Sequence, residues 1–253
     1  MVTEELLCSV LDIGEQMLVN GAEINRVEDS IERICKSYNA KRVDVFTITS
    51  SIVVTLQRQD GSTFTQTRRI HKYSTNLEIV DKLNNLSRYI CNNKPESDYI
   101  INELVKINNG KTYSLSVQYA NYAMIASAFT IFFGGSLSDA LASSIIAVLL
   151  KLSNTVAQKV DTNTLFVNII SSFIVGLFAI FSVRLGVGES IDKIVIGNIM
   201  LMIPGIAFTN SIRDIINGDT ISGLFRLSEA IFISLSIAVG FGIASIVFGG
   251  ILK

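Results

Sequence analysis

The sequence has no GxxxxGK[ST] segment and no HExxH segment, so it offers neither a phosphate-cradling loop for nucleotide hydrolysis nor the zinc helix of a metalloprotease. Its three cysteines, Cys8, Cys35 and Cys91, are widely spaced and form no CxxC pair. That excludes a disulfide framework or a cysteine zinc site and leaves reduced core thiols. The single histidine, His71, follows Arg68-Arg69 and reads as a surface residue. No motif asks for a metal or cofactor. The first residues, MVTEELLCSVLDIGEQ, carry acids where a signal peptide has basic residues, and contain no apolar run. The N-terminal part is therefore expected to stay on the side of synthesis, in the cytoplasm. There is no internal repeat or low-complexity tract.

Charge is scarce too. Only 17% of the 253 residues are charged, against 49% hydrophobic, and the mean hydropathy is +0.46. A chain that apolar fits a multi-span membrane protein better than a soluble one. The net charge of −1 gives no argument for nucleic acid. The charges are unevenly placed: residues 1–116 hold 14 of the 21 Lys and Arg and 15 of the 22 Asp and Glu. This divides the chain into a soluble domain, 1–111, and a transmembrane domain, 112–253.

In the soluble part, Leu7, Leu11, Gly14 and Leu18 share one face of a helix over 4–19, which Asn20-Gly21 ends. The segment GAEINRVEDSIERICKSY repeats Ile24, Val27, Ile31, Ile34 and Tyr38 at helical spacing. VDVFTI (43–48), SSIVVTLQ (50–57) and STFTQTR (62–68) are β-rich, the last two joined through Gln59-Asp60-Gly61, a hairpin signal. Thr75-x-x-Glu78 predicts a capping box for the next helix. Pro95-Glu96 opens one more, which Asn108-Asn109-Gly110 closes. Together these make a small α+β domain.

The rest reads as an α-helical membrane domain of about five spans, since about 20 apolar residues cross a bilayer. They are expected at about 117–133, 137–153, 162–183, 191–212 and 224–252. Lys151, Lys159, Arg213 and Arg226 then fall in inner connections against Arg184, Lys193 and Lys253 outside, and Lys106 and Lys111 flank the first span.

Between the last two spans lies PGIAFTNSIRDIINGDTISGLFRLSEA, residues 204–230, with five charges at or near the membrane face. Charge there is unfavourable by about 2.5–3.5 kcal/mol per residue unless paired or wet, which makes such residues functional candidates. Pro204-Gly205 either breaks a span to form a binding site, as in transporters, or makes an ordinary kink. Arg213 and Asp214 read as a surface ion pair or as pathway residues, and Asp219 as a turn cap or a proton site. Arg226 and Glu229, three apart on one helical face, either pair or face a cavity. In a cavity, Arg226 could hold a substrate carboxylate and Glu229 could titrate near neutral pH. Asp139, at the start of the second span, is a further proton-site candidate. Glu23, Arg26 and Glu28 read as a solvated helix face. Asn217-Gly218-Asp219 falls short of the GxGD of intramembrane aspartyl proteases, because Ile216 stands where the first Gly belongs. Nothing in the chain is expected to be enzymatic.

The segments GAEINRVEDSIERICKSY, TQTRRI with NLEIVDKLNNLSR, GGSLSDALASS and PGIAFTNSIRDIINGDTISGLFRLSEA resemble the N-terminal half of the threonine/serine exporter family over nearly the whole chain. The matching positions are Gly21, Glu23, Arg26, Glu28, Asp139, Pro204, Gly205, Arg213, Asp214, Gly218, Asp219, Gly223, Arg226 and Glu229. The resemblance implies a multi-pass plasma-membrane protein with a cytoplasmic N-terminal domain that exports small amino acids by proton-coupled antiport. Family members carry a second small membrane domain or use a separate short partner, and a chain of five spans resembles the half-size type that needs the partner. Half-size relatives imply a second substrate class, dicarboxylates such as succinate. Association with further copies of itself, as a homo-oligomer, is a further partner expectation. A non-transporting membrane scaffold or sensor is the rival reading from another class.

Overall fold

The computed structural model describes residues 3–110, 113–159 and 163–249. They form ten helices and one three-stranded sheet, divided between two compact units. The expected boundary at 111/112, the first residue of the third expected span and residues 250–252 of the last lie outside the described residues.

The first unit comprises residues 1–111 together with 205–228. Its N-terminal helices are α1 (Glu4–Val19) and α2 (Ile24–Ser37). Thr3 opens α1 by accepting the Leu6 amide, and Glu4 and Glu5 lie in the first turn, where helix dipoles favour acids. Strands β1 (Arg42–Ile48), β2 (Ser51–Gln57) and β3 (Thr63–Arg69) form an antiparallel sheet with β2 in the middle. The period-2 pattern of β2 sends Ile52, Val54 and Leu56 into the core, where they meet Leu7, Leu11, Leu18, Ile31 and Ile34. Helices α3 (Leu77–Asn93) and α4 (Ser97–Asn108) close this core with Leu83, Ile90 and Ile100. The cap of α3 is Asn76, which accepts the Ile79 amide, so the box expected from Thr75 and Glu78 does not form: the helix starts one residue later, with Ile79 at the third position. Cys35 is buried and its thiol is pushed up to about 12 by that burial, consistent with an inert core residue.

The second unit comprises residues 112–204 and 229–253. Its helices are α5 (Leu115–Phe132), α6 (Leu137–Lys159), α7 (Thr164–Arg184) and α8 (Ile191–Ile199); α6, α7 and α8 pack around Ala142, Ile146, Leu150, Val175, Ala179 and Ile194, and α5 packs on α6 and α8. Two more helices follow, α9 (Gly205–Ile216) in the first unit and α10 (Thr220–Phe248), which begins in the first unit and continues into the second. Small residues let α10 approach α7: a side chain at Gly240 would meet the Ile169 carbonyl at 2.1 Å.

Among the described residues three helices are long and apolar enough to cross a membrane: α6 over Leu137–Ala157, α7 and α10. The first expected span corresponds to α5, whose Gln118 and Asn121 lower its hydropathy. The fourth corresponds to α8 and α9, two short helices separated at residues 200–204, the break falling at and just before Pro204.

Candidate functional site

The loop Gly21–Ile24 joins α1 to α2. Gly21 takes φ +95°, a left-handed conformation open to glycine at little cost. From behind, Asn76 and Ser74 brace it: their amides donate to the carbonyls of Asn20 and Val19 at 3.1 and 2.8 Å. The first residue before α2, Glu23, makes no side-chain cap for its own helix.

That cap comes from the 205–228 hairpin. Asp214 Oδ1 accepts the Ile24 amide at 3.2 Å, placing a carboxylate at the positive end of α2. Arg226 Nη1 lies 3.2 Å from Asp214 Oδ2, and Arg226 Nη2 donates to the Ala22 carbonyl at 3.1 Å. Both side chains are withdrawn from water, Asp214 fully and Arg226 to 11% exposure. Asn210 Nδ2 donates to the Gly21 carbonyl at 2.9 Å, and Arg213 pairs with Glu23. Four side chains of the hairpin thus hold four consecutive loop residues. The hairpin itself closes tightly at Gly223, where a Cβ would stand 2.7 Å from the Ser211 carbonyl.

Burial raises the Asp214 carboxyl above its ordinary range, with Arg226 and the Ile24 amide pulling the other way and Asp219 and Glu23 adding to the rise. Burial also pushes up Asp219. Glu28 is raised by burial first and by the Asp219 charge as well, against the Thr47 amide that its Oε1 accepts at 2.7 Å. Glu28 is therefore a half-buried brace between α2 and β1, not part of a solvated face. Glu23 is likewise mostly buried by Arg213, whereas Arg26 is half exposed and lies 4.0 Å from Glu23.

A cavity of about 410 Å³ opens beside this loop. Glu23, Arg26, Asp81 and Arg213 supply its charges, and Asn84 and Thr209 line it as well.

The hairpin residues resolve the sequence alternatives in part. Asp214 is buried against Arg226, so it is not a surface partner of Arg213, and the ion-pair partner of Arg226 is Asp214 instead of Glu229. Glu229 is exposed and, with Pro204 and Asp139, belongs to the second unit. Asp139 is buried there and accepts four hydrogen bonds, from the Ser136 amide and hydroxyl and from the Glu189 and Ser190 amides. It caps α6 and ties down the α7–α8 connection.

Sequence reasoning missed Asn210, Asp81 and Asn84, which carry no spacing signal, and a buried polar triad in the second unit. There Thr130 Oγ1 donates to Ser143 Oγ, and Asn198 Nδ2 donates to the same oxygen, each at 2.8 Å. Asn198 Oδ1 remains buried with no partner among the described residues. Among those residues no group of His, Cys, Asp and Glu could hold a metal ion.

The family model described as "Putative threonine/serine exporter" matches residues 9–248. A "Probable threonine/serine exporter" of Mycobacterium tuberculosis is 21% identical over 241 residues, covering 94% of this chain and 45% of that protein. A "Threonine/serine exporter" of Corynebacterium glutamicum is 22% identical over 240 residues, covering 91% of this chain and 49% of its own length. The chain spans about half the length of these curated relatives. No solved structure matches it. With the family model covering most of the sequence and apolar helices of membrane-crossing length beneath it, the chain is a membrane protein that belongs to the threonine/serine exporter family.

Proposed function

We propose that this chain is the membrane component of a secondary exporter of small amino acids of the threonine and serine type, working at the plasma membrane with its N-terminal unit in the cytoplasm. The family match over residues 9–248 carries this reading. The lack of a nucleotide-cradling loop agrees with a gradient as the energy source. The chain spans about half the length of its curated relatives, and this reading includes a separate small membrane partner.

Protons are the coupling ion in this reading. The buried Asp214–Arg226 pair supports it, with Asp219 and Glu28 nearby, since buried carboxyls with raised affinity for protons are suited to taking one up and releasing it. Protonation of Asp214 removes the charge that holds Arg226 and weakens the grip on the α1–α2 loop. A proton arriving there changes the docking of the hairpin, a two-state element of the kind that alternating access requires.

Efflux of labelled threonine, serine and succinate from cells expressing the chain, alone and with a candidate partner, tests the reading. Threonine efflux that needs the partner and disappears with a protonophore is the expected result. Efflux of succinate alone would move the substrate to dicarboxylates. No efflux under any condition would favour the scaffold.

A further inference from the structure

The cavity beside the Gly21–Ile24 loop is lined on one side by α2 and α3 and on the other by α9. Its charged lining is balanced, with Arg26 and Arg213 set against Glu23 and Asp81. Arg213 and Glu23 are committed to each other. Arg26 has its nearest acid at 4.0 Å and is half exposed, so its planar fork retains donors for a carboxylate. Asp81, in the same lining on α3, is exposed and takes one long hydrogen bond, 3.3 Å from Asn85, on Oδ2. It can receive an ammonium group.

We propose that this cavity recognises a small zwitterionic amino acid, Arg26 holding the α-carboxylate and Asp81 the α-ammonium, which places substrate selection in the first unit. This rests on the exporter reading above and names the site at which that substrate is chosen. Asn84 and Thr209 give the lining hydrogen-bonding groups suited to a side-chain hydroxyl, and Leu77 and Val80 give it apolar wall suited to a methyl group. Gly205 and Ile206, in the first turn of α9, also line the cavity. A dianion fits poorly, because Arg213 is paired with Glu23, which leaves Arg26 as the uncommitted lining cation, and Asp81 repels a second carboxylate. Lining of two positive and two negative charges selects a neutral ligand with separated charges.

Equilibrium binding of labelled L-threonine to the purified full-length chain in detergent tests this. Serine should compete, whereas succinate, N-acetylthreonine and threoninol, each lacking one feature of the zwitterion, should compete at least tenfold less well. Arg26→Gln and Asp81→Asn should each weaken threonine binding tenfold or more, with Arg26→Lys in between. Arg26 is half exposed and Asp81 exposed, so unfolding midpoints should stay at the wild-type value and separate lost recognition from lost folding. Absence of saturable binding, wild-type affinity in both variants, or succinate competing as well as serine would overturn the proposal. Partner-dependent threonine efflux with no binding at this cavity would sink the site and leave the exporter reading standing. Binding that follows the expected pattern without efflux would leave the site and sink the exporter.

Discussion

The two ion pairs of the hairpin look alike in the sequence, arginine and acid in both cases, yet they differ in energy because they differ in water. Asp214 and Arg226 are buried together, and Asp214 has a second duty at the α2 N-terminus. Removing one partner of a buried pair costs about 3–5 kcal/mol, because the other charge is left without compensation. Arg213 is half exposed, and pairs of that kind contribute below about 1 kcal/mol. Arg226→Gln, which leaves the Asp214 carboxylate buried without its cation, should therefore lower the unfolding free energy of the first unit by several kcal/mol, and Arg213→Gln by less than about 1 kcal/mol. Denaturant unfolding of both variants in the same detergent checks this, and equal losses would contradict the burial argument.

At the scale of elements, the titration of the first unit follows from where its acids sit. Glu28, Asp214 and Asp219 are all raised, chiefly by burial, so the folded unit holds their protons more tightly than the unfolded chain does. Between the ordinary carboxylate value and the raised values the folded state carries more protons, and stability falls as pH rises through that window. Asp60 acts in the opposite sense: Ser62 hydrogen bonds lower it, and its contribution is lost as pH falls through the lowered value. The expected profile is an unfolding midpoint that drops on the alkaline side of the carboxylate range, with Asp219→Asn and Glu28→Gln each flattening the drop. A profile unchanged in both variants would show that these carboxyls do not set it. Legibility divides along the same line. Helix α1 and the β2–β3 hairpin were readable because Leu7, Leu11 and Leu18, and Gln59-Asp60-Gly61, are local signals. The choice of Asn76 over Thr75 as a cap was not, because either side chain can serve and backbone conformation decides. Nor could spacing reveal that Glu28 meets the Thr47 amide, or that α2 is capped from 190 residues away. Among the expected pathway residues, Arg213, Asp214 and Arg226 do converge on one loop, while Asp139 serves as a cap.

The whole molecule interleaves its two units: residues 205–228 belong to the compact unit that residues 1–111 begin. A fragment ending at residue 110 lacks every side chain that the hairpin brings to the α1–α2 loop. In hydrogen exchange, the Ile24 amide should be protected in the full chain and exchange markedly faster in the fragment, while the core amides of β2 stay protected in both. Equal protection of Ile24 would mean that the loop is ordered without the hairpin. The same discontinuity sets an order of events during biosynthesis. The ribosome completes α2 long before it makes Asp214, and the intervening helices, α6 and α7 of membrane-crossing length among them, are made in between. The last turn of the lock is therefore made only by a chain whose middle has already been synthesised, so a chain broken off before Asp214 leaves an N-terminal unit with an open helix end for a protease to find.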